Sequence, residues 1–274
     1  MVDDLRRLQD YFAAKARFGL RRTEHGYAGQ FAELELHSHF QPLIRAAGLR
    51  PVAYEALLRA RPQGSGGPFV APETALAAAR NAEEAMHLDR LCRVVHAANF
   101  ARQTPGGLDL YLNVSGRHLL AVSNNHGSTF EELLACCGLE PQRVVLEILE
   151  SSVEDLALLQ EAVTAYKRRG FRIAIDDFGC RHSNFDRLWQ IEPDLVKLDR
   201  GLVQQAVANP RAALILPRLI GMIRDLGAEV VCEGIETAEQ HARCVAAGAD
   251  LLQGYYYARP APRLQAFAAL AATG

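Results

Sequence analysis

The sequence predicts an α/β fold, a TIM-like (β/α)8 barrel with one antiparallel strand. Three observations lead there. Short β-rich runs alternate with helical patterns along most of the chain, the signature of a sheet buried on both faces. The first two runs are separated only by Ala46-Ala-Gly-Leu-Arg50, too short for a helical crossover, so they pair antiparallel. Polar residues recur at the C-terminal ends of successive strands, where barrel folds assemble their sites. An open doubly wound sheet is the alternative. It is disfavoured because no glycine-rich phosphate turn follows the first strand.

The elements follow in chain order. Residues 1–30 differ from the rest and read as an N-terminal helix and linker, with the barrel spanning 31–274. Leu5, Leu8, Tyr11 and Phe12 recur at helical spacing among charges, which makes the first segment an amphipathic helix. Residues 21–30 read as the linker. Strands are expected at about 34–42, 51–58, 108–113, 143–148, 171–176, 194–198, 229–232 and 249–253. Helices are expected at about 74–102, 129–138, 153–169, 183–190, 210–226, 236–247 and 261–272. Gly64-Ser-Gly-Gly67 lacks the Gly-Lys-Ser/Thr ending of a phosphate loop and reads as a flexible connection.

Composition narrows the function. A chain of 274 residues, 49% hydrophobic and 23% charged, is an ordinary globular protein rather than a disordered one. The formal charge of −2 gives no basis for bulk binding to DNA or to an anionic membrane. The apolar run around Ala212–Leu216 is cut by Pro217 and Arg218, and no run approaches the roughly 20 residues a spanning helix needs, so no membrane insertion is expected. The N-terminus lacks an apolar signal region. None of the six cysteines shows Cys-x-x-Cys spacing, which suits a reduced cytoplasmic protein with free thiols.

The chemistry lies at the strand ends. Glu55 falls within the second strand, Asn113 closes the third and Glu147 the fourth. Asp176 and Asp177 close the fifth, and Lys197 and Asp199 the sixth. Glu233 follows the seventh, and Gln253 closes the eighth. One acid at a strand end is commonly a helix cap, but a series over seven strands is not. Burying these carboxylates near one axis costs several kcal/mol per uncompensated charge. A single lysine does not neutralise them, whereas divalent cations do. Oxygen donors without nearby cysteine or histidine favour hard ions, Mg²⁺ or Mn²⁺. Adjacent aspartates suit two metals about 3.5–4 Å apart, the arrangement for in-line displacement at phosphorus. Lys197 is one of only three lysines in the chain. At a strand end among acids it is a candidate for orienting water or contacting phosphate, and equally for a plain salt bridge.

These motifs resemble the EAL family of cyclic di-GMP phosphodiesterases. The resemblance begins at Phe40-Gln-Pro42 and continues through Glu55-Ala-Leu57 with Arg59, then Asn113-Val-Ser115 and Glu147-Ile-Leu-Glu150. It goes on through Asp176-Asp-Phe-Gly179, Lys197-Leu-Asp199, Glu233-Gly-Ile-Glu236 and Gln253-Gly-Tyr255. It implies an enzyme that hydrolyses cyclic di-GMP to linear pGpG with Mg²⁺ or Mn²⁺, two per site, lowering this bacterial second messenger. By resemblance, Glu55, Asn113, Glu147 and Asp176 ligate one metal, and Asp176, Asp177 and Glu233 the other. Lys197 holds or helps deprotonate the attacking water, and Glu233 doubles as general base. Arg59 binds a substrate phosphate, and Gln41 and Gln253 seat the dinucleotide. Glu150 anchors the loop after the fifth strand, while Asp199 and Glu236 support the site from behind. The resemblance further implies a homodimer and an upstream sensory partner.

The loop Asp177-Phe-Gly-Cys-Arg-His-Ser-Asn184 departs from the family's usual pattern, chiefly in Arg181 where glycine is usual. If that position takes φ > 0, a side chain costs roughly 1–2 kcal/mol. The alternative reading is therefore a catalytically impaired cyclic di-GMP receptor that signals through a protein partner. Cys180 is a small residue in a small residue's place. His37 and His39 show no ligand spacing and read as packing or surface residues.

Overall fold

The computed structural model describes residues 2–64, 66–104, 106–116, 127–149, 155–180 and 185–265. A helix, α1 (Val2–Ala13), leads into a hairpin, β1 (Phe18–Thr23) and β2 (Gly26–Phe31). Then come β3 (Leu34–Arg45) and β4 (Arg50–Pro62). After α2 (Pro72–Ala77) and α3 (Ala82–Ala101), β5 (Asp109–Val114) opens a series of parallel strands. The series continues through α4 (Ser128–Cys136), β6 (Val144–Leu149), α5 (Leu156–Arg168), β7 (Arg172–Phe178) and α6 (Phe185–Ile191). It ends with β8 (Leu195–Leu198), α7 (Arg200–Ala208), α8 (Pro210–Asp225), β9 (Glu229–Cys232), α9 (Ala238–Ala246) and β10 (Leu251–Leu252).

The sheet order β3-β10-β9-β8-β7-β6-β5-β4, with β3 paired back to β4, closes an eight-stranded barrel. Only β3 runs antiparallel to its neighbours, as the short Ala46–Arg50 connection requires. Helices cover the outside through an apolar cluster that includes Phe100, Phe130, Tyr166, Ile173, Ile220 and Val230. Inside, each strand contributes one residue to a second cluster: Leu43, Ala53, Tyr111, Val145, Ala174, Leu195, Val231 and Leu251. This apolar plug closes the lower barrel and makes it a packed core rather than a pore.

The expected linker at 21–30 is instead the β1–β2 hairpin, a correction to the sequence reading. Its pairing runs from Phe18↔Phe31 to Thr23↔Gly26. The hairpin extends the sheet by pairing Gly29–Phe31 with Leu34–Leu36 of β3. Its alternation of apolar residues is diluted by Gly26, Gly29 and charged Arg21 and Arg22, so local patterning does not reveal it. Contact with α1 and α3 stabilises it: Leu8, Phe12, Phe18, Phe31, Leu88 and Leu91 share a third cluster. Each such side chain contributes roughly 1.5–3 kcal/mol on burial.

Three further boundaries differ. The expected helix at 74–102 is two helices, because Asn81 caps α3 by accepting from the Glu84 amide at 2.8 Å. An unanticipated helix, α7, follows β8, capped by Asp199, whose carboxylate accepts from the Gly201 amide at 2.8 Å. Strands β3 and β4 run beyond the expected ends, and their pairing continues from Phe40↔Ala56 to Leu34↔Pro62, past the last β4–β5 pair at Ala56. Arg181, His182, Glu150, Ser65 and most of the expected helix at 261–272 lie outside the described residues.

Candidate active site

Period-two alternation builds the site. On each parallel strand, the residue two positions beyond the apolar plug points to the same interior face, one layer nearer the C-terminal mouth. Ala53 leads to Glu55, Tyr111 to Asn113, Val145 to Glu147, Ala174 to Asp176, Leu195 to Lys197, Val231 to Glu233 and Leu251 to Gln253. On the reversed strand the count runs backwards, from Leu43 to Gln41, which sits opposite Glu55 in the register. The polar layer thus stacks directly on the apolar one.

Lys197 stands at its centre, 1% exposed. Its Nζ lies 2.5 Å from Glu147 Oε1, 2.6 Å from Glu233 Oε1, 3.2 Å from Asp176 Oδ1 and 3.4 Å from Glu55 Oε2. Asn113 Nδ2 donates to Glu55 Oε1 and Glu147 Oε2, each at 3.2 Å. Gln253 Nε2 donates to Glu55 Oε2 at 2.7 Å and to Gln41 Oε1 at 3.3 Å, and Gln41 Nε2 donates to the Ala258 carbonyl at 3.1 Å. The amides therefore fix Glu55 from both sides.

Electrostatics follow from this crowding. Burial alone would lower the lysine, but Asp176, Glu147, Glu233 and Glu55 outweigh it and hold Lys197 well above its ordinary value. Burial pushes Glu55 up, yet Lys197 and the amide donors outweigh that and hold it below the usual carboxylate value. Burial and the Glu55 charge push Glu147 well above. Burial, against the pull of Lys197, raises Glu233 to about 8. Burial and then Asp176 raise Asp177. These acids outnumber their one lysine, and the surplus favours protons or cations.

Asp177 breaks the alternation. A residue directly after inward-facing Asp176 belongs on the outer face of a regular strand. Here its φ is 56°, a left-handed conformation uncommon outside glycine and tolerated by aspartate. The β7–β8 register is irregular at the same place, between Ile175 and Phe178. The turn returns the second carboxylate to the mouth, where ligand oxygens of Asp176, Asp177 and Glu233 lie within 4.8 Å of one another. An all-oxygen set of this density fits a hard divalent cation.

The remaining expected residues lie around the rim. Arg59 follows Glu55 on the same face of β4, and its Nη1 donates to the Leu58 carbonyl at 2.8 Å. Glu236 is held by its amide, which donates to Gln240 Oε1 at 2.6 Å, and its carboxylate lies 3.9 Å from Arg200 Nη2. Asp199 acts as the cap of α7 and takes no place in the central cluster. A cavity of about 170 Å³ opens over the cluster, lined by Gln41, Glu55, Arg200, Glu233, Gln253 and Tyr255 among others.

Sequence reasoning missed Arg200, Tyr255 as a wall residue, and the anchor of β5. Asp89 Oδ1 accepts from the Ser115 amide at 2.9 Å and pairs with Arg93 at 2.5 Å, both side chains buried. This pins the strand end that carries Asn113. The signal was present as an Asp–Arg pair four residues apart within the helix.

A family model described as the EAL domain matches residues 27–260. An "uncharacterized signaling protein" of Caulobacter vibrioides is 33% identical over 238 residues, 84% of this chain and 28% of its own length. The cyclic di-GMP phosphodiesterase RocR of Pseudomonas aeruginosa is 34% identical over 125 residues, 45% of this chain and 32% of its own. The chain thus spans about a third or less of each of these relatives. The Klebsiella pneumoniae BlrP1 manganese/cyclic di-GMP complex at pH 6 superposes with a TM-score of 0.77 at 24% identity, covering 92% of this chain and 61% of that one. Its pH 9.0 counterpart gives 0.72 at 26%, covering 82% and 56%. Among the described residues no helix is long and apolar enough to cross a membrane. A family match over most of the chain, on a closed mixed barrel whose mouth gathers the family's motif residues, has one reading: this chain belongs to the EAL domain family.

Proposed function

We propose that this barrel is a metal-dependent phosphodiesterase that opens one phosphodiester bond of cyclic di-GMP to give linear pGpG. The observation that carries the reading is the cluster of Glu55, Glu147, Asp176, Asp177 and Glu233 around Lys197 at the barrel mouth. Its support lies in that chemistry and in the names of the relatives. Asp176, Asp177 and Glu233 would hold one divalent cation, and Glu55, Asn113, Glu147 and Asp176 a second, Mg²⁺ or Mn²⁺. Bound there, the cations supply neutralisation of phosphoryl charge and activation of water.

The chain's own groups do the rest. Glu233, freed of its own proton when a cation binds, would accept a proton from the attacking water at a carboxylate oxygen. Lys197 keeps its charge and orients that water while balancing the acids. Arg59, at the rim on the same strand face as Glu55, offers guanidinium donors to a phosphate. Gln253 fixes Glu55 and is itself held by Gln41, and both glutamines border the space for the dinucleotide. No covalent intermediate is needed, since positioning and charge stabilisation suffice for in-line attack. Exposed Phe185 and Trp189 on α6, next to the end of β7, are the surface on which we place a homodimer contact. An upstream sensory partner and a cytoplasmic location complete the reading.

Chromatography of products tests it. Purified protein with cyclic di-GMP and Mn²⁺ should yield pGpG, and Glu55→Ala or a chelator should abolish it. Retained binding without turnover in the metal-loaded protein would instead identify a receptor.

A further inference from the structure

A second cavity, of about 370 Å³, lies away from the polar cluster, beside the extended open end of the β3–β4 pair. Its origin is a fork in the sheet. The pairing of β2 with β3 stops at Gly29↔Leu36 because Asn99 of α3 takes over the next residues. Asn99 Oδ1 accepts from the Tyr27 amide at 2.7 Å, and its Nδ2 donates to the Tyr27 carbonyl at 2.9 Å and to Ser38 Oγ at 3.1 Å. A Cβ on Gly26 would meet Asn99 Oδ1 at 2.2 Å, so this wedge depends on glycine there. The hairpin tip is thereby held apart from β3.

The walls of the fork combine cations with flat rings. Arg21 and Arg61 both reach the buried Glu35, Arg61 at 3.0 Å. Two guanidinium groups against one carboxylate leave the cavity positive, and each has five N–H donors, more than Glu35 uses. Both remain partly open, Arg21 46% and Arg61 32% exposed at the side chain. Phe69 is 44% exposed, with His39 at 5.6 Å and His37 at 6.1 Å between ring centroids, and the Arg61 guanidinium 6.0 Å above the ring. His37 is uncharged near neutrality, pulled to about 4 by burial and by Arg61 and Arg21, so its 2.8 Å contact with Glu35 is a hydrogen bond from a neutral imidazole to the carboxylate rather than an ion pair. The rings therefore present apolar faces beside free guanidinium donors.

We propose that this cavity is a second ligand site, for a nucleoside 5′-monophosphate, with the phosphate on Arg21 and Arg61 and the base against Phe69 and the two histidines. The volume suits one nucleotide, and the pairing of an aromatic platform with cationic donors is what such a ligand requires. The site is separate from the barrel mouth and does not depend on turnover there. Arg61 and Arg59 are two residues apart on one face of β4, so their Cα atoms lie about 7 Å apart along that strand, while the two cavities share no lining residue.

The test is a titration of the full chain with GMP, by calorimetry or ligand-observed NMR, in chelator so that the acids of the mouth repel phosphate. Wild type and Glu55→Gln should bind alike. Arg61→Ala and Phe69→Ala should each weaken binding about tenfold, and guanosine should bind correspondingly less well than GMP. Phe69 is exposed, so its variant stays informative if loss of Arg61 perturbs Glu35. Absence of GMP binding by wild type overturns the proposal. So does binding that survives both cavity substitutions, or binding lost in Glu55→Gln and kept in Arg61→Ala. Inorganic phosphate binding as tightly as GMP, with Phe69→Ala unchanged, also overturns it.

Discussion

Replacing Lys197 by methionine tests the electrostatics of the mouth directly. Methionine keeps the length and apolar stem of the side chain and removes only the charge. In the metal-free protein Nζ touches four carboxylates at 2.5–3.4 Å, and Lys197 itself is 1% exposed. Removing one partner of a buried ionic cluster costs about 3–5 kcal/mol, because the charges left behind are uncompensated. For a chain of 274 residues, an unfolding entropy of about 2.1 cal/mol/K per residue converts that to a fall of roughly 5–9 °C in Tm. Two conditions should relieve it. Acid protonates the stranded carboxylates, so the deficit should shrink as pH falls from about 8 to about 5. Saturating Mn²⁺ replaces the lost positive charge, stabilising the folded state by about 2.7 kcal/mol at a hundredfold excess over Kd. Differential scanning calorimetry at two pH values, with chelator and with Mn²⁺, reads all of this. A loss under about 1 kcal/mol, or one equal under all four conditions, would refute the view that Lys197 stands in for cations.

Other consequences follow from the same geometry. Glu233 is raised to about 8 from 4.5, so the folded metal-free protein binds the extra proton between those values; its contribution to stability is present below about 4.5 and is lost as pH rises towards 8. Cation binding must displace that proton, so calorimetric Mn²⁺ affinity should rise up to about tenfold per pH unit from pH 6 to 8, and a flat profile would contradict the assignment. Asp177→Asn keeps a side chain that tolerates φ of 56° and should fold with an unchanged or slightly raised Tm in chelator, yet lose most of the Mn²⁺-induced rise. Gly254→Ala places a Cβ 2.0 Å from the Ile235 carbonyl oxygen and should cost about 1–3 kcal/mol or more by denaturant unfolding. Phe12→Ala, in the cluster joining α1 to the hairpin, should cost about 3–5 kcal/mol while leaving Mn²⁺ affinity of the folded protein unchanged.

The barrel and its polar layer were legible because both are written locally. A strand has a period of two, so an apolar residue followed two positions later by an acid or amide marks an interior position near the mouth, with no knowledge of the partner strands. Glu55, Asn113, Glu147, Asp176, Lys197, Glu233 and Gln253 stood out as polar residues at the ends of successive β-rich runs. Asp177 was placed beside Asp176 at the end of the fifth strand, but its inward return depends on a left-handed φ that strand periodicity does not predict. Asp199 was placed with the site residues as closing the sixth strand beside Lys197, and the structure gives it a capping hydrogen bond instead. The β1–β2 hairpin escaped notice because its stability comes from α1 and α3, not from its own pattern.

By itself, then, the sequence determined which residue types stand at each strand end and that one strand must be reversed, since both depend on chain-local geometry. Only the tertiary structure decided that Lys197 takes the centre of the acids. Glu55 and Lys197 are 142 residues apart, and closure of the barrel alone brings them together. The fork at Asn99 was decided there too, because a side chain competing with strand pairing shows itself only once helix and hairpin are packed.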